Sequence, residues 1–239
     1  MEYLPVFAQL KGRSCLVVGG GNVAERKVNQ LLLAGARITV LSTHLTETLD
    51  KLWRRGKIGC EVGPFCHALV AENWLIIAAT DDRSMNAEVA QVAENEKRLC
   101  NVVDDPALCS FIMPAIIDRD PIMIAVGSSG YSPVISRWIK GIIESVLPAR
   151  LDALGRLAGR WRGPVRKAIK GADERRRFWE EMLAGPIPEQ VFAGQDCDDA
   201  LDAALKRWHE TTNSGTGQAY LVGAGPGSPD LITLRGRQL

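Results

Sequence analysis

No two of the six cysteines are spaced C-x-x-C, and only three histidines occur, scattered at positions 44, 67 and 209. A structural zinc site needs ligands at close spacing, so no permanent metal is expected. The cysteines sit largely inside apolar runs such as SCLVV and LCNVV, where reduced thiols act as small core residues. Long hydrophobic runs are missing as well. The longest, such as WLIIAA, fall far short of the roughly 20 residues that a bilayer requires. The first residues lack the charged-then-apolar pattern of a signal peptide. These absences read as a cytoplasmic chain with no membrane partner. Excess charge is lacking too: the net charge is +1, so no global field recruits nucleic acid. Nothing resembles a recognition helix or an aromatic stacking platform.

What is present is a regular alternation. From Ser14 to about Asp104, short β-branched runs (SCLVV, RITVLS, IGCEV, NWLIIAAT, LCNVVD) alternate with helical stretches. This is the pattern of parallel strands joined by crossover helices, and strands apolar on both sides imply a sheet covered on both faces. After Asn22, Val28, Leu31 and Leu32 recur at helical spacing, and Gly35 stands where a left-handed cap needs no side chain. Beyond Pro106, FIMPAIIDRDPIMIAVGSSG reads as two strands around a DRDP turn. Helical periodicity follows from Ser132, with segments separated by Gly and Pro. The polar TTNSGTGQ then reads as a linker, and AYLVGAGPGSPDLITLRGRQL opens a further strand and Gly-rich loop.

The turn GGGNVA, Gly19 to Ala24, fits G-x-G-x-x-A. Gly19 permits a tight turn and Gly21 lets the backbone approach a pyrophosphate, while small Ala24 allows close helix packing. A strand before it and a helix after it supply the context that the motif needs, and the helix amides would face the phosphates. The acid expected at the end of the second strand is absent: Ser42, Thr43 and His44 stand there. Hydroxyls and amides can hold ribose less selectively, and with no adjacent Arg for a 2′-phosphate, NAD is favoured over NADP.

Two further strand ends carry acids. AATDD places Thr80 and Asp81 at the carboxyl edge of the sheet, where such folds bind ligands, although Asp81 and Asp82 equally suit helix capping. NVVDDP places Asp104 and Asp105 at the tip of the fifth strand, where a carboxylate could accept a proton during oxidation or simply occupy a turn before Pro106. Between positions 149 and 177, ten Lys or Arg face three acids, which fits either an anionic ligand or a solvated face.

Taken in order, LPVFAQLKGRSCLVVGGGNVAERK, AATDD, CNVVDDP, SFIMPAIIDR, SSGYSPV, ERRRFWE and YLVGAGPGSPDLITLRG resemble the siroheme synthases of tetrapyrrole synthesis. The resemblance implies an amino-terminal module that oxidises precorrin-2 to sirohydrochlorin with NAD and then inserts ferrous iron, a substrate rather than a resident metal. It also implies a carboxy-terminal module that methylates uroporphyrinogen III with S-adenosylmethionine. By position, Asp104 matches the family's aspartate for dehydrogenation and chelation, and Ser128 a serine near the tetrapyrrole that is a possible phosphoserine. Asn22, Val23, Thr43 and His44 match NAD-contacting positions, and Pro226 an S-adenosylmethionine-contacting one. The methyltransferase module is represented only by its opening loop, so methylation by this chain is expected to be absent.

The expected fold class is α/β: a Rossmann-like parallel sheet, then a small dimerisation region with a strand pair, then an all-helical domain. The boundaries are 1–113 for the NAD-binding domain, 114–147 for the dimerisation region and 148–210 for the helical domain. A linker at 211–218 and a methyltransferase start at 219–239 follow. A homodimer is expected, with the basic helical segment facing the carboxylates of precorrin-2 or sirohydrochlorin. Expected cofactor contacts are Gly19, Gly21, Asn22, Val23, Thr43, His44 and Thr80. Two rival readings share the glycine turn: an NAD-dependent dehydrogenase of a small metabolite, and a noncatalytic NAD-sensing module.

Overall fold

The computed structural model describes residues 2–211. Five parallel strands, β1 (Ser14–Val18), β2 (Arg37–Leu41), β3 (Gly59–Glu61), β4 (Leu75–Ala78) and β5 (Leu99–Val102), form one sheet in the order β3-β2-β1-β4-β5. The helices between them are α1 (Asn22–Leu33), α2 (Glu47–Arg54), α3 (His67–Ala71) and α4 (Arg83–Asn95). The chain order reverses at β1, between β2 and β4, and this reversal opens a crevice at the carboxyl ends of the strands.

Alternation along β1 feeds two cores. Cys15 and Val17 face α1 with Ala24, Val28 and Leu31, whereas Leu16 and Val18 face α4 with Val89, Ala90 and Ala93. The register places Val17 opposite Val40 on one side and Ile77 on the other, so the centre of the sheet is apolar on both faces. Gly35 takes φ +74 just after α1, as its place in the sequence predicts. The amide of Gly12 bonds to the Gly35 carbonyl at 2.8 Å, tying the entrance of β1 to that of β2.

Beyond β5, a 3-10 turn at Pro106–Leu108 leads to a two-stranded ribbon, β6 (Ala115–Arg119) and β7 (Ile122–Val126). The ribbon is followed by α5 (Pro133–Val146), whose N-cap Ser132 accepts from the Ile135 amide. Helices α6 (Leu151–Ala168), α7 (Ala172–Ala184), α8 (Ile187–Phe192) and α9 (Asp198–Thr211) pack around Phe178, Leu157, Val165 and Leu201. The short α8 is absent from the periodicity reading. Pro164 stands inside α6 rather than ending it: it forgoes one backbone hydrogen bond, while Leu157 and Val165 on either side of it are anchored in the core.

The described residues divide into two compact units, one of 123–147 with the chain up to 118, the other of 119–122 with the chain from 148 on. The ribbon's turn thus groups with the helices. Arg156 donates to the Asp120 carbonyl, and Gly155 leaves room for Pro121. No helix among the described residues is long and apolar enough to cross a membrane.

Candidate cofactor cleft and the adjoining strand tip

A cleft of about 790 Å³ opens over the carboxyl ends of β1, β2 and β4. It gathers every residue expected to contact cofactor, Gly19, Gly21, Asn22, Val23, Thr43, His44 and Thr80, together with Asp81, Asp82 and Phe65. The glycines do different work. A Cβ on Gly19, at φ +119, would lie 2.3 Å from the Ala79 carbonyl oxygen, and one on Gly20 would lie 1.9 Å from that of His44. A Cβ on Gly21 would meet nothing within 4 Å. Gly19 and Gly20 therefore let three loops close on one another, while Gly21 keeps the approach to α1 open. As the N-cap of α1, Gly21 offers no side-chain acceptor, so the first amides of the helix are left for an anion.

The loop after β2 is held by its own polar groups. Ser42 Oγ donates to the His44 carbonyl at 2.7 Å, and the Thr43 hydroxyl lies 3.0 Å from His44 Nδ1. Thr46 caps α2 and donates to Glu25 of α1 at 2.5 Å, while its amide donates to the Gly20 carbonyl. Across the cleft, Thr80 Oγ1 donates to Asn86 Oδ1 at 2.7 Å and the Asn86 amide returns a bond to the Thr80 carbonyl. Asp82 is the N-cap of α4, accepting from the amides of Ser84 and Met85. The Ser84 hydroxyl, then those amides, hold its carboxyl below the ordinary range. The capping alternative thus describes Asp82, whereas Asp81 is exposed at the cleft wall. The lining carries acids at Asp81 and Asp82 and neither Lys nor Arg.

Asp104 is not part of this lining. It stands exposed just beyond β5 with φ +60, a left-handed conformation that Asp adopts more readily than most residues. The Val103 amide bonds to the Ala78 carbonyl at 2.9 Å, fastening this tip beside the strand that leads to Thr80. Below it the loop is cross-braced by Cys109. Its Sγ accepts from the Val102 amide at 3.1 Å and lies 3.3 Å from the Asp105 carbonyl. Buried Asn101 reaches the Phe111 carbonyl, and Ser110 bonds back to Cys100. Ser128 is likewise outside the cleft lining, half-buried, with its hydroxyl donating to the Ser132 carbonyl at 2.9 Å. Its loop lies against the one bearing Asp104, since a Cβ on Gly130 would stand 3.5 Å from Pro106.

Residues 6–115 match a family model described as "Putative NAD(P)-binding", and residues 150–207 match one described as "Sirohaem synthase dimerisation region". The whole chain aligns with siroheme synthase 1 of Serratia proteamaculans at 45% identity over 241 residues, covering 51% of that protein. It aligns with the siroheme synthase of Nitrosococcus oceani at 43% identity, again covering 51%. Along its whole length the chain is similar to siroheme synthases. It spans about half the length of these curated relatives. Among solved structures, SirC, a precorrin-2 dehydrogenase, superposes with a TM-score of 0.69 at 20% identity, covering 87% of this chain and all of SirC. That likeness is one of fold: the parallel sheet, the strand pair and the helical region.

Within this siroheme synthase homologue, the region matched as the dimerisation model is the helical segment, whereas the resemblance placed dimerisation at 114–147. Pro226, the linker and the 219–239 segment lie outside the described residues, apart from Thr211 at the end of α9. Several members of the basic cluster have structural partners. Arg160 and Trp161 both bind Asp198, Arg156 pairs with Asp152, and Arg175 caps the carbonyls of Ile169 and Lys170. Sequence reasoning missed Gly20, Thr46, Glu25, Asn86 and Cys109. For Gly20 the run of three glycines was the available signal; Thr46 and Glu25 meet only when segments 21 residues apart are brought together, and Asn86 and Cys109 depend on how the chain six or seven residues before each folds back.

Proposed function

We propose that this chain performs the NAD-dependent oxidation of precorrin-2 to sirohydrochlorin and then inserts ferrous iron to give siroheme. The observation that carries the reading is a free carboxylate, Asp104, exposed on the strand tip beside a dinucleotide-sized cleft, in a chain homologous along its whole length to siroheme synthases.

The residues present suit the dinucleotide. The glycine turn offers a backbone cradle at the uncapped start of α1, and the opposite wall offers hydroxyls at Thr43 and Thr80. When bound, NAD supplies the hydride acceptor. Gly21 keeps a side chain off the diphosphate path, and Ser42, Thr43 and His44 receive the ribose. The acids at Asp81 and Asp82 would repel a 2′-phosphate, which favours NAD over NADP. Asp104 accepts the proton that the macrocycle releases as its hydride departs, so the oxidation removes two electrons and yields NADH with one proton. In chelation, two pyrrole protons leave as ferrous iron enters, and Asp104 is the group placed to accept them. Iron is a substrate in this scheme, and the macrocycle nitrogens are its ligands.

The same reading makes the chain a homodimer. Tyr131, Ile135, Trp138, Ile142 and Val146 line one exposed apolar stripe along and before α5, continuous with no core of their own unit. A second copy is its occupant, and size measurement in solution checks this. Ser128 is a modification site in this reading, and the compartment is the cytoplasm. The deciding experiment supplies precorrin-2 and NAD anaerobically, follows NADH, and then adds ferrous or cobaltous ion. NADH formation followed by a metallated spectrum is expected. Turnover of small hydroxy acids in place of precorrin-2, or binding of NAD with no turnover, would overturn the proposal.

A further inference from the structure

Lys27 lies on the second turn of α1, on the flank of the helix that faces the β5 side of the sheet. Its side chain is half-buried, and the ammonium donates to the thioether of Met113 at 3.3 Å. A thioether is a weak acceptor, a poor match for a cation that has given up part of its hydration. Among the described residues Lys27 makes no ion pair, and neither does Asp104. Yet the two feel one another. Burial, then neighbouring Arg26, pushes the Lys27 ammonium below its ordinary pKa, while Cys109 and Asp104 act in the opposite direction. Burial raises the Cys109 thiol, which keeps it neutral near pH 7. Near pH 7 the fixed charges acting on Lys27 are therefore the like charge of Arg26 and the opposite charge of Asp104.

Neither Lys27 nor Asp104 lines the cofactor cleft, so the cation is not placed for the dinucleotide phosphates. It stands instead where a second reactant would meet Asp104. We infer that Lys27 is a substrate-binding residue whose ammonium receives a carboxylate of the macrocycle beside Asp104, at the β5 end of the sheet. This rests on the proposed function, in which the substrate is a polycarboxylate. The role explains why a charged group stays half-buried with only sulfur as its partner: its intended acceptor arrives with the substrate.

The test compares the full chain with Lys27→Met, which keeps the apolar stem and its packing on Met113, and with Lys27→Arg. Steady-state oxidation of precorrin-2 is measured alongside NAD affinity by titration. Binding of uroporphyrin III, a stable polycarboxylate macrocycle, is followed by fluorescence quenching. Lys27→Met is expected to raise the KM for precorrin-2 by about tenfold or more, as for loss of one charge-assisted hydrogen bond, with kcat within about twofold and NAD affinity unchanged. Uroporphyrin affinity should fall in parallel, and Lys27→Arg should restore most of both. Unchanged uroporphyrin affinity in Lys27→Met overturns the inference, as does a loss confined to kcat. Failure of the unaltered chain to make NADH from precorrin-2 would defeat the dehydrogenase reading alone, because the uroporphyrin measurement reports on Lys27 without any turnover.

Discussion

At the scale of single residues, the cleft depends on atoms that are missing. Gly20 and Gly21 look alike in sequence, yet one is enclosed by the His44 carbonyl and Ser42 while the other borders open space. Gly20→Ala should therefore force the β2 loop away, lowering the melting temperature and weakening NAD binding by at least about tenfold. Gly21→Ala should fold like the parent and affect NAD alone; calorimetry with NAD titration separates the two. Asp104 makes a complementary case. Its side chain is exposed and free of ion pairs, so Asp104→Asn, which also tolerates the left-handed backbone, should leave stability within about 0.5 kcal/mol of the parent. Turnover should nevertheless drop by about 10²–10⁴, the usual range for loss of a positioned base. A variant retaining full oxidation and chelation would remove Asp104 from the mechanism.

At the scale of elements, the chemistry sits where strands hand over to helices, and the helix starts are built differently according to use. The start of α1 carries no side-chain cap and leaves its first amides open, whereas α4 is closed by the Asp82 carboxylate and α2 by the Thr46 hydroxyl. Because the Ser84 hydroxyl and the backbone amides lower the folded pKa of Asp82 beneath 3.8, its contribution to stability is present above that value. It is lost as the pH falls through the still lower folded value. Asp82→Asn keeps an N-cap but cannot titrate. Melting curves between about pH 6 and pH 3 should show a shallower acid loss for this variant than for the parent, with little difference near pH 7. The loop bearing Asp104 follows the same logic from the opposite side: Cys109, Asn101 and Ser110 hold it from below, so the carboxylate projects from a braced rather than a loose turn.

At the scale of the whole molecule, two units with separate cores invite separate perturbation. Phe178 is fully buried, with Trp179 and Trp208 edge-on to its ring, and Phe178→Ala should cost the helical unit about 3–5 kcal/mol. Thermal unfolding followed by tryptophan fluorescence, with NAD affinity measured in parallel, should register that loss while the cleft of the first unit stays competent. Much of this organisation was legible beforehand. Short apolar β-branched runs and period-3.6 patterning mark five strands and most helices, and the glycine turn with its flanking strand and helix marks the cleft, because these depend on residues adjacent in the chain. The brief α8, with under two turns of periodicity, escaped, since its placement rests on burial among distant residues rather than on local preference. By itself, then, the sequence determined the class of fold, the glycine turn and the likeness to siroheme synthases, all carried by contiguous motifs. Only the tertiary structure decided that Gly20 is the crowded glycine, that Asp82 is a cap while Asp104 is free, and that Lys27 lies near Asp104. The Asp82 cap is a local matter of backbone geometry, whereas the other two depend on segments that the chain separates by tens of residues and the sheet brings side by side.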